Sequence, residues 1–209
     1  MVTNTDIQEL GHFINGQTAL GKSGQFSDVY NPSTGAVIAR VPLATKQEVQ
    51  EAIAAAQAAF PAWRALSVGK RAEIVLKFRQ LITENIDELI DMICTESGKT
   101  IEDAKGEITR GLESVDLAIN APPHLLKGEY SVNVGGHINA YSLKEPLGIV
   151  AAISPFNFPV MVPLAITSMA VAVGNCVILK PSERVLALLY FYQSCGKRLA
   201  YQMGGMDGY

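Results

Sequence analysis

Two short apolar runs separated by one helix length constrain this chain more than any other feature. Ile149–Ile153 ends at Ser154-Pro155, and residues 176–179 end at Lys180-Pro181. Between them, residues 162–173 have the length and small side chains of a buried helix, and Gly174-Asn175 supplies a stop that tolerates positive φ. The pattern is β-α-β. Strands apolar on both faces belong in a parallel sheet covered by helices, which puts Lys180, Ser182 and Glu183 at the carboxyl edge where α/β proteins bind ligands. The expected fold class is therefore α/β.

The preceding chain predicts a hairpin, then helices, then a second hairpin. Residues 26–31 and 36–41 flank Pro32-Ser33-Thr34-Gly35, a turn sequence. Thr45 and Glu48 form a capping box, and Val49, Ile53, Ala56 and Phe60 share one helical face up to Pro61. Residues 68–94 continue helically as two segments with Asn85 as a cap between them, and Gly98 closes the second. Thr100 opens a fourth helix that runs to about Asn120, where Pro122-Pro123 forbids continuation. Residues 130–134 and 137–143 then flank Gly135-Gly136, which suits a two-residue hairpin turn. Such a ribbon either pairs with another subunit or packs on its own domain.

The domain organisation expected is helices and hairpin at 1–127, a ribbon at 128–145, the β-α-β unit at 146–184 and an atypical tail at 185–209. That tail holds four of the seven tyrosines and has little periodicity.

Composition narrows the function classes. At 48% hydrophobic residues a buried core is within reach, and a net charge of -3 offers no broad positive field for nucleic acid or an acidic membrane. The most apolar region, residues 158–173, is broken by Pro159, Pro163, Thr167 and Ser168 and falls short of the ~20 residues of a spanning helix. No signal or transit pattern is visible at the amino terminus, so the expected location is the cytoplasm. The three cysteines, Cys94, Cys176 and Cys195, lack metal-ligand spacing, so no metal site is expected, and Cys94 and Cys176 lie in apolar runs as structural thiols would.

Asn157 lies in Ser154-Pro155-Phe156-Asn157-Phe158-Pro159, a strand-to-helix loop with prolines on both sides. A rigid loop of this kind can aim a neutral amide N–H at a developing oxyanion; the plainer alternative is an Asn that only satisfies the turn backbone. At the end of the second strand, Lys180 can donate to a sugar hydroxyl and Glu183 can accept from ribose hydroxyls, which favours NAD over NADP. Here the plainer alternative is a solvated strand end with Ser182 as a helix cap. Neither a G-x-G-x-x-G nor a P-loop pattern occurs.

The NPSTG turn at 31–35, EPLGIVAAISPFNFP at 145–159 and GNCVILKPSE at 174–183 together resemble the amino-terminal part of the aldehyde dehydrogenase superfamily. The Pro-Phe-Asn-Phe-Pro variant, with Phe156 where many members have Trp, is similar to the CoA-acylating methylmalonate-semialdehyde dehydrogenases. The resemblance covers residues 13–183. It implies an incomplete Rossmann-like NAD-binding domain with a protruding β-hairpin, and homo-oligomer formation by the full-length parent. It implies NAD-dependent oxidation of malonate or methylmalonate semialdehyde to acetyl-CoA or propionyl-CoA, with coenzyme A as co-substrate. At matching positions, Asn157 would line the oxyanion hole, Ile153, Ser154, Pro155 and Phe156 the NAD cleft, and Lys180 and Glu183, with Ser182 between them, the adenosine ribose site. Arg110 matches the helix position that addresses the substrate carboxylate, a role an Arg fork suits; an exposed helix Arg paired with Glu107 or Glu113 is the alternative.

In that family the thiolate nucleophile and two functional glutamates come from later chain than any residue here, and Cys195 lies too near Glu183 to replace the nucleophile. The family pattern stops after Arg184. A truncated or frame-shifted product, inactive on its own, is the expectation. The alternatives are a fragment of a non-acylating aldehyde dehydrogenase, or a non-catalytic fragment that pairs with full-length subunits.

Overall fold

The computed structural model describes residues 7–185 together with Phe191. The amino-terminal part is built from short strands: β1 (Gln8–Glu9), β2 (His12–Ile14), β3 (Gln17–Ala19), β4 (Phe26–Tyr30) and β5 (Val37–Pro42). The first three were not expected. β2 and β3 form an antiparallel hairpin around Asn15-Gly16, whose φ values of 51° and 72° match the left-handed turn that joins twisted strands. β4 and β5 pair antiparallel around the predicted turn, where Asn31 Oδ1 accepts the Ser33 N–H at 2.9 Å, while β1 adds to β5 in parallel.

Four long helices follow: α1 (Lys46–Ala65), α2 (Val68–Glu84), α3 (Ile86–Ser97) and α4 (Ile101–Asn120). The capping box of α1 is present, and the Thr45 hydroxyl accepts the Glu48 N–H at 3.2 Å while Glu48 accepts the Thr45 N–H at 2.8 Å. Pro61 does not end this helix. Trp63 Nε1 donates to Val171 O at 3.0 Å, a tertiary tie that holds the last turn beyond the proline. The buried side of α1 matches expectation in part: Ala56 and Phe60 are half-buried, but Val49 and Ile53 are exposed, and Ala52, Ala55, Ala59 and Trp63 complete the half-buried side. Alanines let the helix lie close against a sheet, which larger side chains would hold off.

Asn85 joins α2 to α3, but its side chain donates back to Leu81 O at 2.7 Å and makes no cap bond to α3. Gly98, at φ 71°, ends α3, and Thr100 caps α4 by accepting the Asp103 N–H at 3.1 Å. Past Asn120 the proline pair does not simply stop the helix. Pro122 sits at the first position of a short helix, α5 (Pro122–Leu125), where a missing N–H costs nothing.

The exposed ribbon is β6 (Tyr130–Gly135) with β7 (Ile138–Tyr141). Its turn is Gly136-His137, at φ 54° and 67°, one residue later than expected, because Gly135 itself pairs with Ile138.

The β-α-β unit is β8 (Ile149–Ile153), α6 (Met161–Ala172) and β9 (Cys176–Lys180), within one residue of the expected bounds. β8 and β9 pair in parallel, Ile149 with Cys176 through Ile153 with Lys180. The main core lies where α2, α3 and α4 meet α6, around Ile82, Leu89, Ile93, Ile108 and Leu164. Each such side chain contributes ~1.5–3 kcal/mol when fully withdrawn from water. Phe191 reaches this core, its ring 6.3 Å from that of Phe78. Arg71 ties three helix ends together: Nε donates to Ala172 O at 3.0 Å and Nη1 to Leu66 O at 2.5 Å. No helix among the described residues is long and apolar enough to cross a membrane. Cys195 and most of the Tyr-rich tail lie outside the described residues.

Candidate functional site

The register of β8 against β9 brings the sequence candidates to one edge. Ile153 pairs with Lys180, and the Ser154 N–H extends the ladder by donating to Lys180 O at 3.2 Å. From that point the chain turns out through Pro155, Phe156, Asn157 and Phe158, all exposed, and re-enters at Pro159 and Val160, both buried. Ile153, Ser154, Pro155, Phe156, Asn157, Lys180, Ser182 and Glu183 therefore belong to a single strand-end cluster. Ile153 and Phe156 present apolar surface there, at 75% and 52% exposure, and the Arg184 guanidinium lies 5.2 Å from the centre of the Phe156 ring.

The polar groups of this edge fall into two kinds. Lys180 and Glu183 pair with each other at 2.7 Å, and the Lys180 hydrogen bond, followed by one from Glu183's own backbone, holds the Glu183 carboxyl below its ordinary range. Ser182 is buried and its hydroxyl accepts the Arg184 N–H at 3.2 Å, closing a turn at residues 183–184. By contrast, the Ser154 hydroxyl is buried and has no hydrogen-bond partner among the described residues. The Asn157 amide likewise engages no described residue, so it is not consumed in satisfying the turn backbone.

Arg110 lies on the exposed side of α4 and forms no ion pair with Glu107 or Glu113. It immediately precedes Gly111, where α4 packs tightly on the first turns of α6: a Cβ added at Gly111 would lie 2.9 Å from Leu164 Cδ1 and 3.4 Å from Met161 Cα. Arg110 is thus carried by the helix that packs beside the Asn157 loop.

Glu107 has a different fate from the one its spacing suggested. It is buried, its Oε1 accepts the N–H groups of Val160 at 2.8 Å and Met161 at 3.1 Å, and its Oε2 pairs with Lys99. Sequence reasoning treated Glu107 only as a partner for Arg110. The usable signal was its place in the stripe Ala104, Glu107, Ile108, Gly111, Val115, since a carboxylate on an otherwise apolar face must find a buried partner.

Neither described cysteine can serve this edge as a nucleophile. Cys176 begins β9, at the opposite end from Lys180, and burial pushes its thiol up, away from the thiolate form. Cys94 packs against the helical core. An open cavity of about 510 Å³ lined by Ile38, Glu88, Asp91, Met92, Thr95 and Glu96 contains none of the edge residues, and its three carboxylates would repel a dinucleotide pyrophosphate.

Comparison with known proteins places these features in context. The aldehyde dehydrogenase family model matches residues 20–198. The malonate-semialdehyde dehydrogenase of Pseudomonas aeruginosa is 52% identical over 175 residues, covering 84% of this chain and 35% of that protein. A candidate mitochondrial methylmalonate-semialdehyde/malonate-semialdehyde dehydrogenase of the acylating type from Dictyostelium discoideum is 42% identical, over 94% of this chain and 36% of that one. Among solved structures, a candidate methylmalonate-semialdehyde dehydrogenase from Sinorhizobium meliloti complexed with NAD superposes with a TM-score of 0.86 at 43% identity, over 95% of this chain and 39% of that one. The chain spans about a third of the length of the curated relatives it matches.

Proposed function

The chain belongs to the aldehyde dehydrogenase family, and from that premise we propose that it supplies the oxyanion loop and part of the cofactor cleft of an NAD-dependent, CoA-acylating malonate- or methylmalonate-semialdehyde dehydrogenase. The observation that carries this reading is the Asn157 amide, exposed, unbonded and held in a loop fixed at both ends.

In the proposed site, Asn157 donates to the aldehyde oxygen as attack by a thiolate turns it into an alkoxide. A neutral amide serves because it need not be stripped of a charge's hydration, and a well-placed donor of this kind contributes ~2.7–4 kcal/mol to lowering a barrier. Arg110, unpaired on α4, meets the carboxylate of the semialdehyde through its two parallel N–H donors. The attacking thiolate comes from outside the described residues, since Cys94 and Cys176 are both misplaced. This is why the described part alone is proposed to bind without turning over.

The edge fits NAD. Glu183 and Lys180 offer an acceptor and a donor to the ribose hydroxyls, Ile153 and Phe156 give apolar cover, and the orphaned Ser154 hydroxyl leaves one buried polar group for a ligand to satisfy. When bound, NAD accepts the hydride that leaves the aldehyde carbon. Transfer of the acyl group to coenzyme A is supported by the acylating type of the Dictyostelium discoideum relative; because a three-carbon semialdehyde yields a two-carbon acyl group, one carbon leaves as carbon dioxide.

The test is a chimera in which residues 20–183 replace the matching segment of the Pseudomonas aeruginosa relative. NADH formation from malonate semialdehyde that requires coenzyme A and falls at least ~100-fold in Asn157→Ala supports the proposal. Full activity without coenzyme A favours a non-acylating enzyme. Retention of the rate in Asn157→Ala sinks the assignment of the oxyanion donor. The exposed apolar ribbon β6–β7 supports a second role, pairing of this segment with another subunit.

A further inference from the structure

The helix that follows the Asn157 loop has no cap of its own. The residue before α6 is Val160, whose side chain can accept nothing, and the first turn of α6 contains no Asp or Glu. Pro163 has no N–H, and the Val162 and Leu164 N–H groups donate to Phe158 O and Val160 O, so the N–H groups of Val160 and Met161, at the positive end of the helix dipole, require an acceptor from elsewhere. Glu107 provides it from α4, 53 residues away in sequence, with Oε1 shared between the N–H groups of Val160 and Met161 at 2.8 and 3.1 Å. The carboxylate is 3% exposed, so its charge needs compensation. The dipole and the two N–H donors provide part, and Lys99 pairs with Oε2 to provide the rest.

Lys99 does more than neutralise. It sits between the end of α3 at Gly98 and the start of α4, and its ammonium also lies 4.4 Å from the centre of the Phe158 ring. A cation over an aromatic face is attracted by the ring quadrupole. One ammonium thus grips both the acid that caps α6 and the side chain next to Asn157. The other flank of the loop is already fixed by the Ser154 N–H on Lys180 O.

We infer that Glu107 and Lys99 are positioning residues: they form a clamp that fixes Phe158, Val160 and Met161 and thereby aims the amide of Asn157. The inference rests on the reading of Asn157 as the oxyanion donor for its purpose, but the clamp itself is observable without catalysis. Both Glu107 oxygens are occupied, Oε1 by the two N–H groups and Oε2 by Lys99. Its carboxylate and the Lys99 ammonium act as a pair, and removing one charge harms the other.

The test uses the 209-residue chain and amide exchange with 15N relaxation. In Glu107→Ala, exchange at Val160 and Met161 rises roughly tenfold to a hundredfold, the loss of hydrogen bonds to a charged group, and Asn157 gains motion. Glu107→Gln keeps one acceptor but turns an amide toward Lys99, so it also loosens the loop; adding Lys99→Met relieves that clash and restores much of the protection. Amides of Ile82 and Leu89, in the core, keep their exchange rates. Should Glu107→Ala fail to fold, Lys99→Met alone decides: it loosens Phe158 and Asn157 while the core is unchanged. Wild-type dynamics at Asn157 in Lys99→Met, or a parallel loss of protection in loop and core, overturns the inference. A negative result for Asn157→Ala in the chimera would remove the catalytic purpose and leave the clamp standing.

Discussion

Lys180 and Glu183 face each other at 2.7 Å across Pro181, both side chains about half exposed, at the strand edge that also carries Ser154 and Ile153. An ion pair this open to water contributes ~0–1 kcal/mol, so little holds it shut. A ribose diol can enter with one hydroxyl on the carboxylate and the other on the ammonium.

Replacing Glu183→Gln keeps the shape and removes the charge. NAD binding to the chain weakens ~10- to 100-fold, the range for losing a hydrogen bond to a charged acceptor, while thermal stability changes little. The preference for NAD over NADP narrows, since the carboxylate no longer repels a 2′-phosphate. Calorimetric titration with both nucleotides checks this, and equal affinities before and after substitution would remove Glu183 from the cofactor site.

Gly111 and Gly106 lie on the same helix and respond oppositely to alanine. At Gly111 a Cβ meets Leu164 Cδ1 at 2.9 Å in fully buried surroundings, while at Gly106 nothing lies within 4 Å. Gly106→Ala gains the helix preference of alanine, up to ~1 kcal/mol. Gly111→Ala gains the same preference but overpacks the α4–α6 contact at ~1–3 kcal/mol, so its net effect is destabilising. Urea unfolding of the two variants separates them, and a stabilised Gly111→Ala would mean that α6 can move away without cost.

Local chemistry made much of this architecture legible. The Thr45 and Thr100 caps, the Gly98 stop and the β8-α6-β9 unit all rest on neighbours in sequence, and each stands within one residue of its expected place. What escaped depends on distant chain. β1 pairs with β5 through Gln8 and Ala39, a contact no local pattern announces, and the Trp63 tie to Val171 keeps α1 helical past Pro61. Asn15-Gly16 was a turn signal in plain view, but its strands of three residues are too short to show alternation. Of the proposed site, Asn157, Lys180 and Glu183 were marked by position after strand ends. Glu107 and Lys99 were not, because their partners lie on α6 and its loop, which only tertiary packing brings near.

Glu48 predicts an acid-labile joint between the first hairpin and α1. Bonds from the Thr45 backbone and hydroxyl, joined by the Lys22 N–H at 2.8 Å, hold its carboxyl at about 2 against an ordinary 4.5. A carboxyl with a lowered folded value binds its proton more tightly in the unfolded chain. Its contribution is therefore complete above pH ~4.5 and lost as pH falls toward ~2. The amide shifts of Lys22 and Thr45 move together in that window, and Glu48→Gln abolishes the shared titration. A titration that persists in the variant would assign the joint to another acid.

The ribbon formed by β6 and β7 predicts assembly. Tyr130, Val132, Val134, Ile138 and Tyr141 are each at least 59% exposed, on a ribbon whose register shifts between Ser131 and Gly135 where Asn133 takes a φ of 51°. Monomeric proteins rarely leave so much apolar surface together in water, and the cover proposed for it is a second subunit. Burial of one valine contributes ~1.5–3 kcal/mol, so Val132→Lys weakens self-association, or association with the longer relative, at least ~10-fold. The fold of the chain is unaffected because the ribbon contributes nothing to the core. Sedimentation velocity over a range of concentrations reads the outcome directly. A chain that stays monomeric throughout, or a Val132→Lys variant that assembles as the parent does, would show that the strip has another use.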